Sequence, residues 1–189
     1  MDAAIRAFQD EGYDNASMDR IAEMAGASKR TVYNHFARKE LLFEAVIEQF
    51  MGEAAALKAI PYDSGETLEA QLAEFANAKT KLLEDPAWMG LMKVGLGVFV
   101  RDPELARRTM AQAEDGEDHL TIWLQAATED GKLTVESPKM AAQVFWAGVS
   151  GGIFWPQALQ GPMDPEQVTF LTEELIRVFL AGYSSDANS

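Results

Sequence analysis

The sequence predicts an all-α fold, with a short helix-turn-helix headpiece of three helices ahead of a larger helical body, about nine helices in all. Apolar residues recur at three- and four-residue spacing along nearly every segment. No convincing strand pattern competes, since the best candidate, Lys132-Leu133-Thr134-Val135, is only four residues long. Proline stands directly after Asp or Ser in Asp85-Pro86, Asp102-Pro103, Ser137-Pro138 and Asp164-Pro165, the arrangement expected where a helix begins.

Taken in order, a first helix carries Ile5 and Phe8 and stops before Gly12. Ser17 can cap a second helix containing Met18, Ile21 and Ala22, which Gly26 closes, and Ser28 can cap a short third helix through His35. A fourth helix over residues 39–58 bears Leu42, Val46, Phe50, Ala54 and Leu57, and would span about 30 Å. Pro61 and Gly65 end that half. Helices are expected next over 66–84, with Leu68, Leu72, Phe75 and Leu82 on one stripe, then over 87–100, and as one long helix over 103–129. The last two open at Pro138 and Pro165 and close near Gly161 and Gly182, with Pro156 kinking or shortening the first. The domain division that follows is a headpiece over 1–38, a connecting helix over 39–58, a helical body over 59–183 and a disordered tail over 184–189.

Composition excludes several classes. Hydrophobic residues at 48% and charged residues at 24% describe an ordinary globular chain. There is no Cys, so disulfides and thiolate chemistry are out, and a cytoplasmic location is expected. His35 and His119 lie too far apart for a local metal motif, and no metal or cofactor is expected. No run approaches the roughly 18 apolar residues of a membrane span. The net charge of −14 looks hostile to nucleic acid, but it is unevenly spread. No acid occurs between Met24 and Lys39, where Lys29, Arg30, Arg38 and Lys39 stand, while residues 51–189 carry 21 acids against ten bases. At physiological salt the Debye length is about 8 Å, so a distant acidic body is largely screened from a local basic patch.

The sharpest signal lies in residues 17–36. Two short helices crossing at a tight turn need a small residue at the contact, supplied by Ala22, a turn glycine at Gly26, and apolar faces from Ile21, Val32 and Phe36. Lys29, Arg30, Thr31, Tyr33 and Asn34 then remain outside, a donor-rich surface able to reach phosphates and base edges. Lys39 opens the next helix, where its charge and the free backbone N–H groups both favour a phosphate.

The run Ala4-Ile5-Arg6-Ala7-Phe8, with the stretch from Gly12 to Ala22, resembles the opening of TetR-family regulators. So does the stretch from Ala25 to Phe36 followed by Lys39-Glu40-Leu41-Leu42, which contains the Tyr-x-His-Phe-x-x-Lys-Glu-x-Leu hallmark of that family. The resemblance covers residues 3–50; beyond it only helix number and the Gly-rich penultimate helix match. It implies phosphate contacts from Ser17, Tyr33, His35 and Lys39, and groove-facing residues Lys29, Arg30, Thr31 and Asn34. It also implies a homodimer on a palindromic double-stranded DNA operator, and a repressor released by a small apolar, aromatic or amphipathic effector. Family members usually carry a few Arg or Lys before the first helix, and this sequence opens inside it.

The body is less legible. Phe75, Met89, Met92, Phe99 and Trp123 fit a ligand cavity, and equally an ordinary core. His119 fits a polar anchor for a ligand or a hydrogen-bonded core histidine. Gly148 and Gly152 each cost up to about 1 kcal/mol relative to Ala in a helix, which close approach of another helix would offset, within one chain or across a two-fold axis. The resemblance puts a dimer interface on the last two helices, at Phe145, Gly148, Gly152, Trp155, Leu175 and Phe179. Nothing resembles an enzyme site: there is no Cys, no paired His and no Gly-rich phosphate loop, and the carboxylates are scattered.

Overall fold

A computed structural model describes residues 1–55, 60–113 and 118–185, and among these the fold is all-α. The helices are α1 (Asp2–Asn15), α2 (Met18–Met24), α3 (Lys29–His35), α4 (Lys39–Ala55), α5 (Leu68–Leu83), α6 (Pro86–Arg101), α7 (Pro103–Ala113), α8 (His119–Glu129), α9 (Pro138–Val149), α10 (Trp155–Gln160) and α11 (Pro165–Tyr183). The candidate strand near Leu133 forms a single antiparallel bridge to Ser184. No described helix is long and apolar enough to cross a membrane.

Side-chain caps set most of the helix starts. Ser17, Ser28, Thr67, Asp85, Asp118 and Asp164 each accept a backbone N–H of the first turn, an interaction of about 1 kcal/mol. The Asp118 cap explains one departure from expectation. The stretch 103–129 is two helices rather than one, because the Asp118 carboxylate accepts from Leu120 N and starts α8 afresh. Gly12 breaks the first helical stretch where the sequence expects it to (φ 76°, ψ 161°), and a short further helical stretch, counted within α1, runs on to Asn15. At Pro156 the helical path does not stop. Proline lacks an N–H and its ring crowds the carbonyl four residues back, so the backbone widens into a π-helical turn over Ser150–Phe154 before α10 resumes.

The helices sort into two compact units that are not contiguous in sequence. One holds α1–α4 with α6 and α7; the other holds α5 and α8–α11. The linear division expected from sequence therefore differs from the packing, since α6 and α7 lie with the headpiece and not with the body. In the first unit, Phe8, Phe43, Val46 and Ile47 share one core with Leu91, Val98 and Leu105. Phe8 and Phe43 meet edge to face at 5.3 Å, and Phe99 extends the group at 6.2 Å from Phe43. The expected contributions of Ala54 and Leu57 to α4 fall outside the described side chains.

In the second unit, Phe75 and Tyr62 lie edge-on to Trp123, at 6.1 and 5.7 Å, and Phe145 lies edge-on to Phe179 at 5.3 Å. The buried Gln71 ties this core to the chain before α5. Its amide oxygen accepts from Trp123 Nε1 (3.0 Å) and Asp63 N (2.8 Å), while its amide nitrogen donates to Asp63 O (2.8 Å). Ser184 and Ser185 do not belong to a loose tail: Thr134 N donates to Tyr183 O, and the Ser185 hydroxyl donates to Gly131 O. Residues 186–189 lie outside the described part.

The two glycines singled out in the sequence separate here. A Cβ on Gly148 would strike Leu175 of α11, whereas one on Gly152 meets nothing within 4 Å. Gly148→Ala should therefore force Leu175 into another rotamer and lower stability by about 1 kcal/mol, within the usual range for overpacking. Gly152→Ala should be neutral or stabilising by up to about 1 kcal/mol. Denaturant unfolding of the two variants checks this, and equal losses at both sites would remove the close α9–α11 approach as the reason for Gly148.

Candidate nucleic-acid interface

The headpiece is built by two capped helices and one permissive turn. Ser17 Oγ accepts from Arg20 N at 3.1 Å and fixes the start of α2. After Met24 the chain reverses through Gly26, whose φ of 62° suits a residue without a Cβ, and Ala27 N returns to Ala22 O at 3.0 Å. Ser28 Oγ then accepts from Thr31 N (3.1 Å) and pairs with Thr31 Oγ1 (2.7 Å) to start α3. Ile21 and Ala22 are buried, while Val32 and Phe36 pack half-buried against the Phe8–Phe43 core. Those contacts fix which side of α3 faces outward.

On that side the structure collects most of the expected set. Lys29, Arg30, Thr31, Tyr33, Asn34 and His35 are all exposed, and α3 contains no fully buried residue. Such a helix gains little from its own burial. It presents amide, hydroxyl, imidazole and cationic donors on one surface, the chemistry needed to meet phosphates and base edges. Not all the cations are equally available. Lys29 Nζ contacts Asp19 Oδ2 at 2.6 Å, and Arg20 is shared between Glu11 and Glu23. The Asp19 hydrogen bond and charge raise the Lys29 pKa and keep it protonated, but the pair is exposed and a phosphate can compete for it. Among the described residues neither Arg30 nor Arg38 forms an ion pair. Arg38 was legible only as part of the acid-free stretch, and its exposure adds it to the candidate set.

Lys39 is placed differently from expectation. Its ammonium donates to three carbonyls at the end of α1, Tyr13 O (2.6 Å), Asp14 O (3.1 Å) and Ala16 O (3.0 Å), and lies 4.5 Å from the centre of the Tyr13 ring. All three protons are used. Lys39 thus closes the C-terminal end of α1, where the helix dipole favours a cation, and joins α1 to α4. Burial, with the charge of Glu40 behind it, pushes the Tyr13 hydroxyl up to about 12, so the ring beneath Lys39 stays neutral. Ser17 is likewise occupied as a helix cap, although it remains exposed.

The six candidate ligand residues are not brought together within one unit. Met89, Met92 and Phe99 lie in the first, with Phe99 against its core. Phe75, His119 and Trp123 lie in the second, where Trp123 and Phe75 are buried and His119 is half-buried. Among the candidate dimer residues, Phe145 and Phe179 are buried against each other inside one chain. Gly148 serves the α9–α11 contact with Leu175. Trp155 is exposed and Gly152 half-buried. The apolar side chains that do stand exposed on these helices are Met140 and Val144 of α9, Leu159 of α10, and Phe170 and Val178 of α11.

Two family models match this chain. Residues 1–46 match the family model described as bacterial regulatory proteins, tetR family. Residues 70–185 match that of the AefR-like transcriptional repressor, C-terminal domain. The crystal structure of a TetR family transcriptional regulator from Pseudomonas syringae pv. tomato strain DC3000 is similar with a TM-score of 0.80 and 34% identity, covering 97% of this chain and 94% of that one. The flavonoid-responsive regulator FrrA gives a TM-score of 0.77 at 26% identity, covering 97% and 96%. The HTH-type transcriptional repressor AcnR of Corynebacterium diphtheriae is 24% identical over 178 residues, 94% of this chain and 89% of its own. These relatives are regulators of transcription, not enzymes.

The placement of Lys39 separates a structural role from a phosphate contact. Lys39→Met should destabilise the DNA-free protein by about 1.5–3 kcal/mol, because charge-assisted bonds to three carbonyls are lost. Thermal or denaturant unfolding without DNA measures this. An unchanged midpoint, with only operator binding weakened, would return Lys39 to the phosphate-contact reading.

Proposed function

The chain belongs to the TetR family of bacterial transcriptional regulators, and from that premise we propose that it is a homodimeric repressor of the cytoplasm. It binds a palindromic operator in double-stranded DNA through α3 and leaves it when a small apolar or aromatic effector binds. One observation carries the DNA-binding part: six consecutive-turn donors, from Lys29 to His35, stand exposed on a helix held at a fixed angle by Val32 and Phe36. The dimer reading rests on the exposed Met140, Val144, Phe170 and Val178. Large apolar side chains grouped on the last long helices are the kind of surface that a second copy covers. The effector reading draws on the aromatic core of the second unit and on FrrA, a relative whose name states that it responds to flavonoids.

The packing of the first unit suggests how a signal reaches α3. Helix α6 is held to α1 near both ends: Gln9 Nε2 donates to Ala87 O at 2.5 Å, and Arg101 pairs with Asp14 at 2.9 Å. Between them α6 contributes Leu91 and Val98 to the core that α1 and α4 share. A displacement of α6 therefore carries α1 with it, and α1 leads directly through Ala16 and Ser17 into α2. This route differs from a pendulum motion of α4 alone, although α4 lies in the same core. In a two-fold dimer the two α3 helices must meet successive major grooves about 34–36 Å apart, so a small rotation of each headpiece breaks the fit. The effector achieves this only by binding the DNA-incompetent arrangement more tightly, and operator DNA must then weaken effector binding by the same factor.

Selection of genomic fragments bound by the purified protein, followed by salt titration, tests the DNA reading. Arg30→Ala and Arg38→Ala should each weaken binding and reduce the salt slope by about one, as expected when one phosphate contact is lost. Unchanged slopes in both variants would remove the two arginines from the interface. For the switch, effector affinity measured with and without operator duplex should differ, and identical values would sink the coupling while leaving DNA binding intact.

A further inference from the structure

We infer that Asp19 is a positioning residue for base readout: it holds the Lys29 ammonium as an oriented donor to a guanine edge, not as a general cation for phosphates. The inference rests on the DNA-binding reading above and adds to it a residue of α2 that fixes specificity. Lys29 opens α3 with Arg30 behind it, and α3 carries no acid of its own. The counter-charge comes from the first turn of α2, where Asp19 Oδ2 accepts from Lys29 Nζ at 2.6 Å. Neither end of this bond hangs on a loose element. Ile21 holds α2, and Val32 and Phe36 hold α3, to one core, and Ala27 N returns to Ala22 O between them.

The first residues of the second helix in this motif are those that meet base edges. A lysine there suits the O6 and N7 acceptors of guanine. Its drawback is that a compact ammonium on a flexible stem serves any phosphate as well. The pair with Asp19 acts on both points. It offsets the charge, so a phosphate gains less from Lys29, and Glu23 adds to the negative field there. It also uses only one of the three protons, and directs the group from which the other two reach a base. The neighbouring cations divide differently. Lys39 donates all three protons to carbonyls, and Arg20 is shared between Glu11 and Glu23. Arg30 and Arg38, without an ion pair among the described residues, are left to meet phosphates.

The test measures binding of the full chain to the operator recovered by genomic selection, to its single-base variants, and to a scrambled duplex of equal length. Lys29→Met should lose the preference for guanine at one position of each half-site. Asp19→Asn should weaken that same preference at least about threefold, while affinity for the scrambled duplex stays level or rises. In Lys29→Met, adding Asp19→Asn should change no base preference further. A preference unchanged in Asp19→Asn, a change at a position that Lys29→Met leaves alone, or an equal loss on operator and scrambled DNA would each overturn the proposal. The last result would reduce Asp19 to an acid that stabilises the first turn of α2, a role that unfolding without DNA reads separately. A chain that selects no duplex at all refutes the DNA-binding reading, and this inference with it. A selective chain indifferent to Asp19→Asn refutes the inference alone.

Discussion

The contact on which the first unit depends is the edge-to-face pair of Phe8 and Phe43, both fully shielded from water. A three-helix head of fewer than about 40 residues cannot close a core around such rings by itself. Helix α4 supplies Phe43, Val46 and Ile47, α6 supplies Leu91 and Val98, and α7 supplies Leu105. The DNA-reading helix is thus carried by a core whose walls come from a distant part of the chain. That is also the basis for coupling, because an element that completes a close-packed core cannot move without its neighbours following.

Within this frame, α3 is stabilised from its ends and one edge. The Ser28 cap holds its first turn, and Val32 and Phe36 hold it to the core, so the remaining side chains are released from packing. The basic residues around it divide by task. Lys39 is spent on α1 carbonyls and Arg20 on Glu11 and Glu23, while Arg30 and Arg38 keep their charge outward. A basic stretch in sequence therefore overstates the charge available to a phosphate. The acidic remainder of the chain lowers non-specific attraction, and screening leaves the local patch effective.

The all-α class, the caps at Ser17 and Ser28 and the outward set on α3 were legible because each rests on local rules of spacing and capping. Lys39 was legible only in part: its helix-opening position is local, but its partners Tyr13, Asp14 and Ala16 lie more than twenty residues away and are brought to it only by the α1–α4 packing. That α6 and α7 pack with the headpiece helices was not legible either, although the C-terminal family model spans them, since periodicity marks a helix and an apolar face but not which helix receives that face. Phe145 and Phe179 show the same limit. Aromatic residues on the last helices fit a dimer seam or a core, and within this chain these two rings lie against each other at 5.3 Å in the core. Asp118 was a missed local signal, an N-cap residue directly ahead of the apolar run that became α8.

Two polar side chains of α5 show how a buried polar group reveals its purpose. Gln71 is almost completely buried, and each of its ends is bonded: the oxygen to Trp123 and Asp63, the nitrogen to Asp63 and, more weakly, to Glu66 and Thr67. Its pairing is complete, so it needs no further explanation than the anchoring of the chain before α5. Two turns further on, half-buried Lys79 lies over the Trp146 ring at 4.7 Å, and burial lowers its pKa while the nearby Asp118 carboxylate opposes that. Because the side chain is only half-buried, its stem can pack while the ammonium keeps some access to water and a cation–π contact that an uncharged residue would not make. The two residues show two ways of holding a polar side chain beside this core: complete pairing where it is enclosed, and an aromatic face with partial access to water where it is not.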